Sequence, residues 1–216
     1  MTAQAQPGQQ LLRLVQVMDT LLSPGGCPWD AEQTHETLAP YAVEEAYELV
    51  EAISSGNPDD IADELGDVLL QVVFHARVAQ NAGTFDVDDV AERITEKLYR
   101  RHPHVFANVD ATTPEQVEAN WDAIKAAEKP ERRGPLDGIP TGMPPLERAV
   151  KVVSRLERAG LGEQVTAAAR GKDLGAQMLA LVLHARESNL DVAIALRGTL
   201  AALEADVAAA DRSSGG

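Results

Sequence analysis

The stretch that decides the fold is residues 59–78, with the sequence DDIADELGDVLLQVVFHARV. Its apolar residues surround most of a helical circumference, at Leu65, Val68, Leu69, Val72 and Val73. This pattern predicts a buried central helix that begins near Asp59 or Asp60, either of which suits an N-cap. Glu64 and Asp67 interrupt the apolar run. A charge in such a setting is costly unless it is paired or coordinated, so these two acids are candidate functional residues.

Helical patterns continue on both sides of this stretch. An apolar stripe over residues 11–22 ends at Ser23-Pro-Gly-Gly26, and a helix that begins within residues 35–41 ends near residue 54, before Gly56-Asn-Pro58. Two further helices are predicted over residues 86–101, with Val90, Ile94 and Leu98 facing inward, and over residues 114–128. Five helices without a convincing strand predict an all-α bundle that occupies residues 1–130.

The rest of the chain divides into a linker at 131–145, a second helical segment at 146–211 and a tail at 212–216. Residues 64–77 align without a gap with residues 173–186, so the second segment is interpreted as a shortened copy of the first. The copy keeps the apolar positions and loses charges. Ala176, Ala202 and Ala205 stand opposite Asp67, Lys97 and Arg100, and no acidic cluster resembling residues 44–48 lies between 151 and 172.

Composition excludes several classes of function. The chain has 34 acidic and 19 basic residues and a formal charge of -15, which disfavours binding to a nucleic acid polymer. Cys27 is the only cysteine, so neither an intrachain disulfide nor a cysteine zinc site can form. Residues 1–10 lack the features of a secretion signal, and no apolar run is long enough to span a membrane. A cytosolic protein is expected.

The candidate chemistry rests on two pairs of acids. Glu45 and Glu48 are three residues apart on one predicted helix, and Glu64 and Asp67 have the same spacing on the next. A turn between these helices would bring the four carboxylates together. Because four like charges repel, the arrangement predicts a bound cation, and oxygen ligands favour Mg²⁺ or Mn²⁺. The alternative is an ordinary solvated acidic face.

Basic and aromatic residues could complete a phosphate site. Lys97 and Arg100 share one helix face and could hold phosphate oxygens, although basic residues in a last turn also serve the helix dipole. Arg101 could equally pair with a surface acid. Trp121 lies one turn from Lys125 and could stack on a base or pack in the interior. With no P-loop and no nucleophilic triad, metal-activated water is the remaining nucleophile for an enzyme.

These residues resemble the signature of the MazG nucleoside triphosphate pyrophosphohydrolases. The similarity lies in Glu44-Glu45-x-x-Glu48 followed by Glu64-x-x-Asp67, and it extends to segments 26–30, 39–41, 100–106 and 121–125 in the same order. The resemblance implies an all-α enzyme that dimerises, or forms a higher homo-oligomer, and that uses Mg²⁺ to convert a ribo- or deoxyribonucleoside triphosphate to the monophosphate and pyrophosphate.

The resemblance also implies a role for each candidate residue. Glu45, Glu48, Glu64 and Asp67 would be metal ligands, and Glu44 a supporting residue or base. Lys97 and Arg100, with Arg101 beside them, would contact phosphate, while Trp121 and Lys125 would lie near the nucleoside. Broad base tolerance and removal of surplus or non-standard nucleotides would follow. The second half would be a catalytically inactive, degenerate copy. The rival interpretations are a sensor that binds a nucleotide or alarmone without turnover, and a structural bundle with an acidic face.

Overall fold

The computed structural model describes residues 7–107, 109–128 and 134–214. Every regular element in these ranges is an α-helix, so the prediction of an all-α fold is confirmed. None of the helices in the described ranges has the length and apolar character needed to cross a membrane. The chain divides into two compact units, Met1–Lys125 and Ala126–Gly216, which we call unit 1 and unit 2.

Unit 1 contains the helices predicted for the first half together with two additional short ones. In chain order they are α1 (Gln9–Leu22), α2 (Pro28–Ala31), α3 (His35–Ser55), α4 (Pro58–Asn81), α5 (Val87–Arg101), α6 (Pro103–Phe106) and α7 (Pro114–Ala127), of which α7 runs past the boundary between the units. The core of unit 1 forms between α1, α3 and α4. It consists of Met18, Leu22, Leu38, Val73 and Phe74.

A tight turn folds α3 and α4 into a hairpin. Gly56 ends α3 with φ of 74°, a left-handed conformation that glycine adopts without strain. Asn57 caps α4 by accepting the backbone N–H of Asp59, and Pro58 occupies the first helical position. The prediction of an N-cap at Asp59 or Asp60 was therefore wrong. Proline already has the φ of a first helical residue, so the helix starts earlier.

The burial predicted for α4 and α5 was only partly right. Val73 and Phe74 are buried, but Leu65, Leu69 and Val72 are 52%, 39% and 42% exposed. On α5, Ile94 and Leu98, which were expected to face inward, are 44% and 43% exposed. The reason is that α1 and α3 cover one side of α4, whereas α5 contributes no buried residue. A broad apolar face of unit 1 is left uncovered by the described residues.

Unit 2 is built from α8 (Pro145–Arg158), α9 (Gly162–Ala169), α10 (Leu174–Glu187) and α11 (Val192–Ser214). Its small core contains Val153, Val165 and Val182. Helix α11 continues to Ser214, three residues beyond the end predicted from the sequence, and residues 131–133 of the predicted linker lie outside the described residues.

The two units contain equivalent ion pairs, and these extend the similarity seen in the sequence repeat. In unit 1 the Arg77 guanidinium on α4 donates to Asp19 on α1 at 3.0 Å. In unit 2 Arg186, its counterpart on α10, donates to Glu157 on α8 at 2.6 Å. Thus α8 and α10 correspond to α1 and α4. Between them, the 8-residue α9 stands where unit 1 has the 21-residue α3.

Two histidines join the start of α3 to α4. His35 Nδ1 and His75 Nδ1 are 2.8 Å apart, so one ring donates its N–H and the other accepts it. The ring planes are within 9° of parallel, and His35 also stacks on Phe85. Burial, reinforced by the neighbouring His35, lowers the pKa of His75. The folded protein therefore favours the neutral form of His75.

This preference predicts a loss of stability in mild acid. Because the pKa of His75 is lower in the folded protein, stability should fall as the pH drops below the unfolded-state pKa of about 6.5. His75→Gln should lose less stability than the wild type between neutral and mildly acidic pH, measured as urea-unfolding midpoints. His184→Gln is the matched control, since His184 is the exposed counterpart of His75 in the repeat. Identical pH dependence in all three proteins would contradict the prediction.

Candidate metal centre

The α3–α4 hairpin brings carboxylates from both helices together. Glu48 lies eight residues before Gly56 and Glu64 lies eight residues after it, so an antiparallel hairpin places them level with each other. Glu45 and Asp67 are related in the same way, at eleven residues on either side. Carboxylate oxygens of Glu45, Glu48 and Glu64 lie within 4.8 Å of one another. The predicted convergence of acids is present for three of the four residues.

Asp67, the fourth predicted acid, lies beside this cluster without joining the set of oxygens within 4.8 Å of one another. Its side chain is exposed, but its charge acts on both Glu45 and Glu64. Glu44 is also exposed and acts on Glu45. The structure therefore contains an acidic centre of three close carboxylates, with Asp67 and Glu44 at its edge.

Desolvation and, after it, repulsion between like charges disfavour the charged forms of the acids in this centre. Desolvation raises the pKa of Glu45, and the charges of Asp67, Glu48 and Glu44 raise it further, together with a hydrogen bond to Glu48. Desolvation also raises the pKa of Glu64, followed by the effects of Glu48 and Asp67. Each of these contributions disfavours the charged form. Among the described residues, no basic side chain contributes to either shift.

The donor atoms fit a hard divalent cation. Glu64 Oε2 is shielded from solvent and has no hydrogen-bond partner among the described residues, which is costly for a carboxylate oxygen. The nearby donors are carboxylate oxygens, the ligand type that Mg²⁺ and Mn²⁺ prefer. A cation placed among them would satisfy the Glu64 oxygen and offset the repulsion between the three glutamates.

Two acids that the sequence reasoning did not select also influence the site. Asp63 and Asp60 precede Glu64 on α4, and their charges contribute to its raised pKa. Their spacing places them on or next to the face of α4 that carries Glu64 and Asp67. In the sequence these two residues are part of a run of acids, but acidic runs on helices usually lie on solvated surfaces.

The predicted basic and aromatic residues lie on other elements. Lys97 on α5 lines a pocket of about 300 Å³ with Phe85, Val90, Arg93 and Ile94. Within the described residues, Lys97 makes no contact with the carboxylates of Glu45, Glu48 and Glu64. The Arg101 guanidinium lies 5.5 Å from the centre of the Trp121 ring, and His102 meets the same ring edge-on at 4.9 Å. Trp121 is therefore half-buried in a cation–π and aromatic contact.

Comparison with known proteins places this hairpin in a recognised domain. A family model described as the MazG nucleotide pyrophosphohydrolase domain matches residues 33–106. The matched segment contains all the candidate acids as well as Lys97, Arg100 and Arg101, and it ends before Trp121 and Lys125.

Comparison with whole proteins shows that the similarity extends beyond this segment. The chain is 45% identical over 193 residues to the uncharacterized 26.1 kDa protein in the blaB 3′ region of Streptomyces cacaoi, covering 88% of this chain and 78% of that protein. It is 46% identical to the nucleoside triphosphate pyrophosphohydrolase of Escherichia coli K12, covering 70% and 59%. It is also 46% identical to the nucleoside triphosphate pyrophosphohydrolase/pyrophosphatase MazG of Thermotoga maritima, covering 68% and 56%. The alignments thus span less than two thirds of these two named enzymes.

The repulsion within the acidic centre gives a test that needs no substrate. In EDTA, Glu48→Gln should unfold at a higher temperature than the wild type, because it removes a like charge that acts on both Glu45 and Glu64. Glu51 lies one turn further along α3 and is not among the acids that act on Glu45 and Glu64. Glu51→Gln also removes one negative charge, but it should have little effect on the unfolding temperature. Equal midpoints for Glu48→Gln and Glu51→Gln would show that the centre is not under repulsion.

Proposed function

This chain belongs to the MazG nucleotide pyrophosphohydrolase family, and we propose that it hydrolyses nucleoside triphosphates to the monophosphate and pyrophosphate with a divalent cation held by Glu45, Glu48, Glu64 and Asp67. The observation that supports this most directly is the convergence of three carboxylates on the α3–α4 hairpin, within the segment that matches the family. Ribo- and deoxyribonucleotides with different bases are proposed as substrates, and the removal of surplus or non-standard nucleotides as the biological role.

Mg²⁺ is the proposed cation, with Mn²⁺ as a substitute. When bound, it would neutralise charge on the phosphates and lower the pKa of a coordinated water. The protein's own contribution is to present fixed oxygen ligands from two helices that are tied together by the turn at Gly56. Glu44, exposed at the edge of the centre, is assigned as a supporting residue or as the base that takes the proton of the attacking water.

The phosphates also require positive charge from the protein. Lys97, Arg100 and Arg101 are proposed to bind phosphate oxygens and to stabilise pyrophosphate as it leaves. Trp121 and Lys125 are proposed to lie near the nucleoside. Within one copy, Lys97 lines a pocket formed with other residues at α5 and has no recorded contact with the acidic centre. In the proposed arrangement, a second copy of the chain brings Lys97 to the acidic centre.

A homodimer, or a higher homo-oligomer, would supply that second copy. Leu65, Leu69 and Val72 on α4 and Ile94 and Leu98 on α5 form the uncovered apolar face of unit 1. Several large apolar residues left exposed on two helices are typical of an interface between subunits. Pairing through this face would bring helix α5 of one copy beside helix α4 of the other. We therefore propose that Lys97 of one subunit completes the site on its partner.

The first experiment measures pyrophosphate and monophosphate release from a panel of ribo- and deoxyribonucleoside triphosphates, with Mg²⁺, Mn²⁺ or EDTA. The wild type should turn over in Mg²⁺ and lose activity in EDTA. Glu48→Ala and Asp67→Ala should each lower kcat/KM by about 100-fold or more, since each removes transition-state charge stabilisation.

Asp173→Asn is the matched control. Asp173 stands opposite Glu64 in the repeat and caps α10, a role that asparagine also fills, so its activity should equal that of the wild type. Binding of nucleotide without turnover by the wild type would support the sensor interpretation. Turnover that persists in both Glu48→Ala and Asp67→Ala would contradict the assigned ligands.

The shared site is tested by complementation. Glu48→Ala and Lys97→Ala chains, each inactive alone, are co-expressed with different affinity tags, and mixed dimers are purified. If Lys97 acts on the partner's acidic centre, each purified mixed dimer has one intact site of two and should show about half of the wild-type activity. If Lys97 acts within its own chain, neither site of a mixed dimer is intact and no activity returns.

A further inference from the structure

Gln71 on α4 is a buried polar residue whose side-chain oxygen has no partner. The residue is 8% exposed, and its Oε1 has no hydrogen-bond partner among the described residues. An amide oxygen that is shielded from water and left unpaired destabilises a fold, so buried oxygens of this kind are nearly always paired. Because a carbonyl oxygen can only accept, Gln71 Oε1 needs a hydrogen-bond donor that the described residues do not provide.

The position of Gln71 places it beside the acidic centre. Gln71 follows Asp67 by four residues and Glu64 by seven, so all three side chains leave the same side of α4. Four residues of an α-helix span about 6 Å along its axis. Glu64 Oε2 is likewise shielded from solvent and unpaired among the described residues. Two unpaired oxygens thus lie on one side of α4, with Asp67 between them.

Aromatic residues lie on the same face of the hairpin, on the side of Gln71 away from the acids. Tyr41 lies fifteen residues before Gly56 and Gln71 lies fifteen residues after it, so the hairpin places them level with each other. The Trp29 ring meets Tyr41 edge-on at 6.1 Å and Phe74 at 6.5 Å. Trp29 is 51% exposed and Tyr41 is 39% exposed. Gln71 therefore lies between the carboxylates and a partly exposed aromatic group.

We propose that Gln71 Oε1 accepts a hydrogen bond from the 3′-hydroxyl of a nucleotide whose phosphates lie at the acidic centre. This inference rests on the proposed function and names the residue that positions the sugar. In a nucleoside triphosphate the sugar adjoins the α-phosphate, so its hydroxyl lies about one helix turn from the cation, which is the spacing from Asp67 to Gln71. The 3′-hydroxyl is a donor that ribo- and deoxyribonucleotides share, in keeping with the proposed hydrolysis of both.

Paired substrates and variants test this hydrogen bond. The ratio kcat/KM is measured in Mg²⁺ for dATP and for 2′,3′-dideoxy-ATP, which lacks the 3′-hydroxyl. The wild type should favour dATP by about tenfold, the contribution expected of one hydrogen bond. Gln71→Met keeps the length of the side chain and removes the oxygen, so it should lose most of this preference by lowering kcat/KM for dATP only. Gln80→Met, the same change at an exposed position of α4, should keep the preference.

A stability measurement distinguishes a binding role of Gln71 from a structural one. In EDTA without nucleotide, Gln71→Met should unfold at or above the wild-type midpoint, because Oε1 has no partner to lose. A lower midpoint, equal losses of kcat/KM for both nucleotides, or a wild type that does not discriminate would overturn the proposal. A higher Mg²⁺ requirement of Gln71→Met with both nucleotides would identify Gln71 as a cation ligand and would also overturn it.

Failure of the proposed function would give a different result. If the wild type turns over no triphosphate, the catalytic proposal is wrong, and dissociation constants of the same two nucleotides are compared by calorimetry. Tighter binding of dATP than of the dideoxy analogue by the wild type, but not by Gln71→Met, would still support the hydrogen bond. Binding of neither nucleotide would overturn both proposals.

Discussion

The mutual repulsion of carboxylates on the α3–α4 hairpin is the constraint on which the rest of this structure depends. The hairpin places Glu48 level with Glu64 and Glu45 level with Asp67, on opposite sides of the turn at Gly56. Such an arrangement is unfavourable in the absence of a cation, because desolvation first, and then the charges of the neighbouring acids, raise the pKa values of Glu45 and Glu64. The stability needed to hold it comes from elsewhere on the same helices, where Leu38 and Phe74 pack against α1.

The two halves of α4 carry different kinds of residue, and this difference follows from the need to hold the carboxylates together. Its first half carries the acids and exposed leucines, while its second half carries the buried residues and the ion pair from Arg77 to Asp19. A helix that were buried along its whole length could not present carboxylates to a solvated substrate. The exposed apolar residues beside the acids offer a surface on which the proposed second copy could bind. Within one described chain, Lys97 makes no contact with the acidic centre, and the second copy is proposed to supply this basic residue.

Unit 2 has helices and an ion pair equivalent to those of unit 1, without a carboxylate cluster among its described residues. It keeps the paired outer helices, the ion pair from Arg186 to Glu157 and the capping aspartate of its last helix, Asp191. In place of the long acidic helix it has α9, and Ala176 occupies the position of Asp67. In the part of this unit that the structure describes, no three acids lie close enough to share an ion, and what it retains is a packing scaffold with exposed apolar residues on its helices.

The sequence by itself determined the helices, the α3–α4 hairpin and the identity of the acids, because helical periodicity, turn residues and spacing about Gly56 are local properties of the chain. Only the tertiary structure decided which apolar residues are buried. Leu65 and Val73 look alike in the sequence, yet one is 52% and the other 2% exposed, since burial depends on how many helices pack around α4. The surroundings of Lys97 and Trp121 were likewise set by packing between distant segments, which no local pattern encodes.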